Sequence, residues 1–407
     1  MGDIIFLAHR MPFPPDRGDK IRSHHLLKFL AERGNVHVGC FADTDADMEA
    51  EDDLAGVSKS HCLVRRTKPL VLAGAEAVIS QLPVSLAVFH SRALERWVRD
   101  TVDTHEIEAI FVFSGQMGQY VPDDFTGRVI VDLCDVDSVK FEDYAKAGER
   151  AWLNGREGRL LAREEERLAH RADATILISE SEKAILQGRL KNAAGTRLHA
   201  IGNGIDAKHF DPASVLPEGS IAGRGGPHFV FTGQMDYRPN EMAALWAIEH
   251  FLPEVRAYFP EAEFHVVGRN PTEALLAKNS IEGVTIWGEV PDVRPFLKAA
   301  DVAVTPLTIA RGVQNKVLEA MAMELPVLLT PGAATGIDAH DGVHWMVEEA
   351  DAKRMADRFR IMWSETSHVS AMGRAARQFV LDNHSWDAVL NPLEDLLLMG
   401  RGQRHAA

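Results

Sequence analysis

Short, uninterrupted apolar runs alternate along this chain with longer stretches in which apolar positions recur every three or four residues. The first run is Asp3-Ile4-Ile5-Phe6-Leu7-Ala8, and its like appears at 36–41, 109–113, 129–133 and 174–178. The pattern then starts afresh at 229–232, 263–267, 284–287, 302–305 and 327–329. Runs of this length without polar alternation predict strands covered on both faces, as in a parallel sheet. Between them the helical period predicts helices over about 21–33, 142–170, 317–322, 352–363, 374–382 and 385–399. Ser179, with Glu182 three residues on, has the spacing of a capping box at one more helix start. Strand, loop and helix, repeated in two blocks, point to two doubly wound α/β halves.

The first block, 1–206, closes on Ile201-Gly202-Asn203-Gly204-Ile205-Asp206, where Asn-Gly predicts a tight turn with positive φ. Residues 207–226 are rich in proline and glycine and predict a linker. The second block spans 227–384, and 385–407 predicts a helix returning to the first. A length of 407 residues suits two such domains.

Charge narrows the function classes. The net charge is −15, which offers no overall basic surface to nucleic acid. Cys40, Cys62 and Cys134 are scattered and without paired metal spacing, so they read as reduced thiols of a cytoplasmic protein. The apolar start is too short for a signal peptide, and Pro69 to Phe89 is interrupted by Glu76, Gln81 and Pro83, so no span of a bilayer is expected. Against the acidic background, 58–100 is basic: seven cations, among them Arg65, Arg66 and Lys68, face Glu76, Glu95 and Asp100. Two buried helices with arginines on their wet face explain it, and so does contact with the anionic inner leaflet of a membrane. The acidic connector 43–53 reads as solvated surface.

The candidate chemistry centres on Arg311-Gly312-Val313-Gln314-Asn315-Lys316-Val317-Leu318-Glu319, between two predicted strands. A glycine-bearing loop running into a helix start presents unpaired N–H groups and a favourable dipole, so Gly312, Val313, Gln314 and Asn315 suit a phosphate and Lys316 adds charge. Glu319, one turn inside, can accept hydrogen bonds from two hydroxyls. In the first block, the loop and helix start at Gly18, Asp19 and Lys20 and the strand ends at Ser114, Asp135, Asp137 and Lys140 should share one edge of the sheet, where ligands bind. Asp135 and Asp137 have the spacing of a metal motif, but no third ligand is evident and no metal is expected.

Lys316-Val317-Leu318-Glu319-Ala320-Met321-Ala322-Met323 followed by Leu325-Pro326-Val327, together with Asn203-Gly204-Ile205-Asp206, resembles the retaining glycosyltransferases of family 4. The likeness is greatest to sugar transferases of bacterial exopolysaccharide systems. It implies the GT-B fold, two Rossmann-like doubly wound domains facing a central cleft. It also implies transfer of a sugar from a nucleotide diphosphate to a lipid-linked saccharide or polysaccharide, with retention and without a metal cofactor. On the same resemblance Glu319 binds ribose, Val290 lies beside the base, and Gly18 and Gly233 face the donor phosphates. The sequence departs from the family at Arg311, where a glutamate is usual, and at Gln234 and Asn240, where a cationic pair is usual. Arg238 and Arg311, with Lys316, are the nearest cations to fill that gap, so Arg311, Lys316 and Glu319 form the candidate catalytic set. A sugar-nucleotide epimerase of the same fold, or a relative that binds without transfer, are the alternatives. The expected placement is cytoplasmic, peripheral at the inner membrane face.

Overall fold

All the strands expected from the apolar runs form, and they pair in parallel. The computed structural model describes residues 2–308 and 312–398. The chain divides into two compact units, Met1–Asn203 with Val389–Ala407, and Gly204–Ala388.

The first unit holds seven strands: β1 (Asp3–Ala8), β2 (Val36–Ala42), β3 (Ser60–Arg65), β4 (Ile107–Phe113), β5 (Arg128–Cys134), β6 (Ala174–Leu177) and β7 (Leu198–Ala200). Their order is β3-β2-β1-β4-β5-β6-β7, so the winding reverses between β1 and β4. The second unit holds β8 (His228–Thr232), β9 (Glu263–Val267), β10 (Val284–Gly288), β11 (Val302–Thr305), β12 (Val327–Leu329) and β13 (Met346–Val347). Their order is β10-β9-β8-β11-β12-β13, reversing between β8 and β11. At such a reversal the loops leaving two adjacent strands diverge to opposite faces and open a crevice at the carboxyl edge. Helices cover both faces of each sheet, which is why β1, β2 and β8 are buried along their length.

Several expectations need correction. The segment 58–100 opens with an edge strand, β3, and its Leu70–Ser80 helix is not buried: Ala73 and Ala77 face inward while the large aliphatic side chains face out. The stretch 142–170 is two helices, Asp137–Lys146 and Ala151–Arg171, broken where Gly148 and Arg150 take φ of +84° and +40°. The first helix runs Gly18–Ala31, starting earlier than its apolar period, so Gly18, Asp19 and Lys20 are its first turn rather than a loop. The acidic connector folds into helices Asp45–Glu49 and Glu51–Val57, and Asp47 is buried rather than solvated. Ser179 caps the N–H of Glu182, but the Glu182 carboxylate accepts from the Val136 N–H instead of closing a box.

Asn203-Gly204 also departs from the expected turn, since neither residue has positive φ. Glycine is needed at 204 for space: a Cβ there would lie 2.6 Å from the backbone of Trp386. The proline- and glycine-rich stretch 207–226 belongs to the second unit, where Ile221 is fully buried and the Glu218 N–H donates to the Pro295 carbonyl. From Val389 the chain belongs to the first unit, with Arg33 3.3 Å from Glu394 and Arg128 donating to the Leu396 carbonyl.

Arg22 anchors the first unit. Its side chain is 2% exposed and meets the fully buried Asp132 of β5 through Nε at 2.9 Å and Nη2 at 2.8 Å. The remaining donors reach the carbonyls of Ile201 and Gly202 and the Asn203 side chain. Burial opposes the guanidinium charge, but Asp132 more than offsets it and raises the Arg22 pKa. Removing one partner leaves a charge buried alone. Arg22→Met should therefore lower the stability of this unit by about 3–5 kcal/mol, whereas Arg22→Met combined with Asp132→Leu should recover most of the loss. Urea denaturation of both variants measures the difference.

Candidate functional site

In the second unit the reversal between β8 and β11 places two loops side by side, and the expected donor residues fall on them. Gly233 follows β8, and its φ of +149° suits only glycine. A Cβ there would come within 2.9 Å of both Lys316 Nζ and Asn240 Nδ2. Gly268, at the end of β9, is held closer still, since its Cβ would overlap the Gly233 carbonyl. These glycines let the backbone of two strand ends pack together beneath one lysine.

That lysine belongs to the Asn315–Ala322 helix, whose apolar positions Val317, Leu318, Ala320 and Met321 are buried against the sheet. Lys316 and Glu319 are thereby turned to the same side, one helical turn apart. Lys316 Nζ donates to Asn240 Oδ1 at 2.5 Å and stands 4.5 Å from the Phe231 ring centroid. Asn240 is buried and fixed by its own amide, which donates to the Gln234 carbonyl. Burial lowers the Lys316 pKa to about 8, with Glu319 pulling the other way. Burial likewise raises the Glu319 pKa, opposed by Lys316. Each is the main charge compensation of the other, and both side chains are half-buried.

Gln314 is the N-cap of this helix, and its side chain turns back to the Gly312 carbonyl instead of capping. Gly312 takes φ of +67° in open space, and Val313 packs over Gly336. Asn315 and Arg238 are exposed at the starts of their helices. Val290 follows β10 and packs partly against the core. Gly233, Gly312, Val313, Gln314, Asn315, Lys316, Glu319 and Val290 thus occupy the carboxyl edge of one sheet. Arg311 lies outside the described residues. Sequence reading noted Asn240 only for the charge it lacks and missed that it orients Lys316; it missed Arg269 altogether, which donates to Gln234 Oε1 at 2.9 Å. Gly268-Arg269-Asn270-Pro271 directly after a buried strand is the signal that could have found the second.

The first unit has the corresponding edge between β1 and β4, and here the expected residues divide. Lys20 is buried in an ion pair with Asp47 at 2.6 Å, which commits it to structure rather than to an acceptor. Asp19 bonds Arg10, approaches His9 at 3.4 Å and Arg17 at 3.2 Å, and is held well below the usual carboxylate range. Burial is the opposing influence there, and His9 and Arg10 overcome it. Gly18 starts the helix beside them with nothing near its Cα. Ser114 sits at φ +76° after β4 and donates to Gln116. Asp135 and Lys140 are exposed, whereas burial raises the pKa of Asp137. His9 was not foreseen: it stacks near Phe113 and Phe89, and burial lowers its pKa against the pull of Asp19.

Among the described residues, two groups have the composition of metal ligands, Asp3-His37-His105 and His228-Glu263-His265. Both lie at strand starts, the edge opposite the site. Lys59 already occupies Asp3 at 2.8 Å, and the Trp287 indole donates to His265 Nδ1, which leaves the proton on Nε2.

Comparison with known proteins follows this geometry. Residues 226–365, within the second unit, match the family model described as glycosyl transferases group 1. No curated protein matches the chain. Among solved structures it is similar to sucrose-phosphate synthase from Thermosynechococcus elongatus, at 18% identity and a TM-score of 0.57, covering 97% of this chain and 98% of that one. It is similar to HepE from Anabaena in complex with UDP and glucose, at 14% identity and 0.60, covering 98% and 99%. It is similar also to WaaG, a glycosyltransferase involved in lipopolysaccharide biosynthesis, at 17% and 0.55, covering 98% and 100%. These likenesses establish the GT-B fold.

The buried ammonium has a measurable cost. A lysine whose pKa falls to about 8 on folding penalises the folded state fully below that pH. The penalty fades as pH rises toward the unfolded value near 10.5. Lys316→Met should therefore stabilise the second unit at pH 7 by roughly 1–3 kcal/mol, after the lost Asn240 bond is counted. The gain should shrink between pH 8 and pH 10 in denaturation curves; a constant gain would contradict the charge origin.

Proposed function

We propose that the chain is a retaining glycosyltransferase that moves a sugar from a nucleoside diphosphate to a saccharide acceptor in cell-surface or exopolysaccharide synthesis. The observation that carries this reading is the convergence of Gly233, Lys316 and Glu319 at the reversal of the second sheet, within the stretch that matches the glycosyltransferase model. HepE was solved with UDP and glucose, which makes uridine diphosphate sugars the first donors to try.

In this reading the diphosphate lies over Gly233 and the start of the Asn315–Ala322 helix. The Lys316 ammonium and the first N–H groups of the helix meet its charge. Glu319 accepts hydrogen bonds from the ribose hydroxyls, and burial strengthens them. As the sugar–oxygen bond breaks, the electron pair leaves with the diphosphate, and negative charge grows where Lys316 already stands. The acceptor hydroxyl attacks the oxocarbenium-like carbon on the same face, and its proton passes to the departing phosphate oxygen. No enzyme nucleophile and no carboxylate pair is needed for that route. No metal is assigned a part.

The acceptor is taken to be lipid-linked and the protein peripheral at the inner membrane face. No helix among the described residues is long and apolar enough to cross a membrane, and one helix of the first unit is apolar on its outer side. A second reading, binding without transfer, is favoured by Gln234 and Asn240 standing where the resemblance implies cations.

Calorimetric titration with a panel of sugar nucleotides, followed by detection of the transferred sugar and its anomeric configuration, tests the proposal. Product of retained configuration supports it, and tight binding with no product supports the second reading. Glu319→Ala should weaken donor binding about 10–100-fold while the protein stays folded. Lys316→Ala should lower turnover more than it lowers binding of the bare nucleoside, because the leaving group's negative charge grows between ground state and transition state. Equal losses in both would remove Lys316 from the leaving-group role.

A further inference from the structure

An amphipathic helix ordinarily turns its large apolar side chains inward. The Leu70–Ser80 helix does the reverse. Ala73 and Ala77 are its buried positions, and Leu70, Val71, Leu72, Val78 and Ile79 point outward, followed by Leu82. Val71 is 84% exposed and Ile79 86%. Single exposed aliphatics are ordinary, but six on one short segment form a contiguous patch of the kind that marks an interaction site.

The surroundings say what covers it. The cations expected to meet a membrane are already engaged: Arg65 with Asp45 at 3.1 Å, Arg66 with Asp43 at 2.7 Å, and Lys68 with Glu76 at 2.9 Å. Other cations replace them. Arg156 of the Ala151–Arg171 helix donates to the carbonyls of Ala77 and Leu82, which fixes that helix against the end of the patch. Trp152, one turn earlier on the same face, is 74% exposed. Lys146 is likewise paired, with Asp143 at 3.0 Å, but residues 147–163 add exposed Arg150, Arg159 and Arg163, besides Arg156, against Glu149 and Glu157. Of these carboxylates Glu157 is turned inward, accepting from the backbone of Val84 and Ser85. A locally cationic rim on a chain of net charge −15 is complementary to an anionic surface.

We infer that the outer face of Leu70–Leu82, with Trp152 at its border, inserts into the interface of a bilayer containing anionic lipid. The face is mainly aliphatic, its Glu76 carboxylate is held by Lys68 and its Ser80 hydroxyl by the Glu76 carbonyl, and an indole at its edge suits the headgroup level. Apolar insertion carries the affinity, and the rim near Arg150 and Arg159 adds attraction. This sharpens the peripheral placement proposed above, but it stands whether or not sugar transfer is found.

The test is flotation of the full chain with vesicles of phosphatidylglycerol and phosphatidylethanolamine, and with phosphatidylcholine alone, at low and high salt. Binding to the anionic vesicles is expected, with a blue shift of Trp emission and a substantial fraction retained at about 1 M salt, where charge is screened within about 3 Å. Val71→Asp with Ile79→Asp should reduce binding by more than about tenfold, while Arg65→Gln with Arg66→Gln should change it less than about twofold. Both aspartates fall on exposed positions, and an unchanged circular dichroism melt confirms that folding is intact. No flotation, or flotation indifferent to the two aspartates, overturns the inference. So does a wild-type dimer that they convert to monomer without changing vesicle binding, since a second copy would then be the occupant. Failure of transfer with intact flotation counts only against the enzymatic reading.

Discussion

A charge cannot be buried alone, and the first unit is arranged around satisfying that constraint once. Arg22 rises from the helix after β1 into the interior and finds Asp132 on β5 and the backbone where the chain leaves the unit. One guanidinium thereby fixes the first helix, a central strand and the last residues before Gly204 with respect to each other. Hydrophobic packing alone tolerates sliding and repacking, whereas a planar fork with five donors tolerates little. The Ala8–Gly18 loop and the Ser114 turn flank this anchor, so the sheet edge that carries His9, Asp19 and Asp137 is held by a bond none of them makes.

The second unit solves a related problem differently. Lys316 stands half-buried with a neutral amide and an aromatic face as close neighbours, and Glu319 as its nearest countercharge. Neither arrangement neutralises the ammonium as a carboxylate in contact would. In the proposed function the donor's phosphates supply the countercharge that these neighbours leave open. Asn240 matters because it aims the lysine without satisfying it.

The sequence makes the strands legible, since buried parallel strands are continuous apolar runs and little else in a chain looks like them. β3, β7 and β13 are illegible for the same reason: they lie toward the sheet margins, are short or half-exposed, and mix polar with apolar residues. The candidate loop is legible because its residues are local, with Gly312 to Glu319 contiguous in the chain. Arg22–Asp132, Lys20–Asp47 and Lys316–Asn240 are separated by 110, 27 and 76 residues and leave no local trace. Lys20 shows the error this produces, because a cation in a promising loop looks available until its partner is seen. Gly204 shows another: glycine after asparagine predicts a turn by backbone freedom, and here the want is room beside Trp386.

The state of Lys316 has a consequence for its reactivity. An amine with a pKa of about 8 is in good part free base in mildly alkaline buffer, and its lone pair is then a nucleophile. An acylating or aldehyde reagent would find in it a more receptive amine than an ordinary surface lysine in the same buffer. A phosphate group arriving at the same place would return the proton and silence it. If the proposed function holds, the extent of modification at one side chain would report occupancy of the site, whichever nucleotide or sugar had entered.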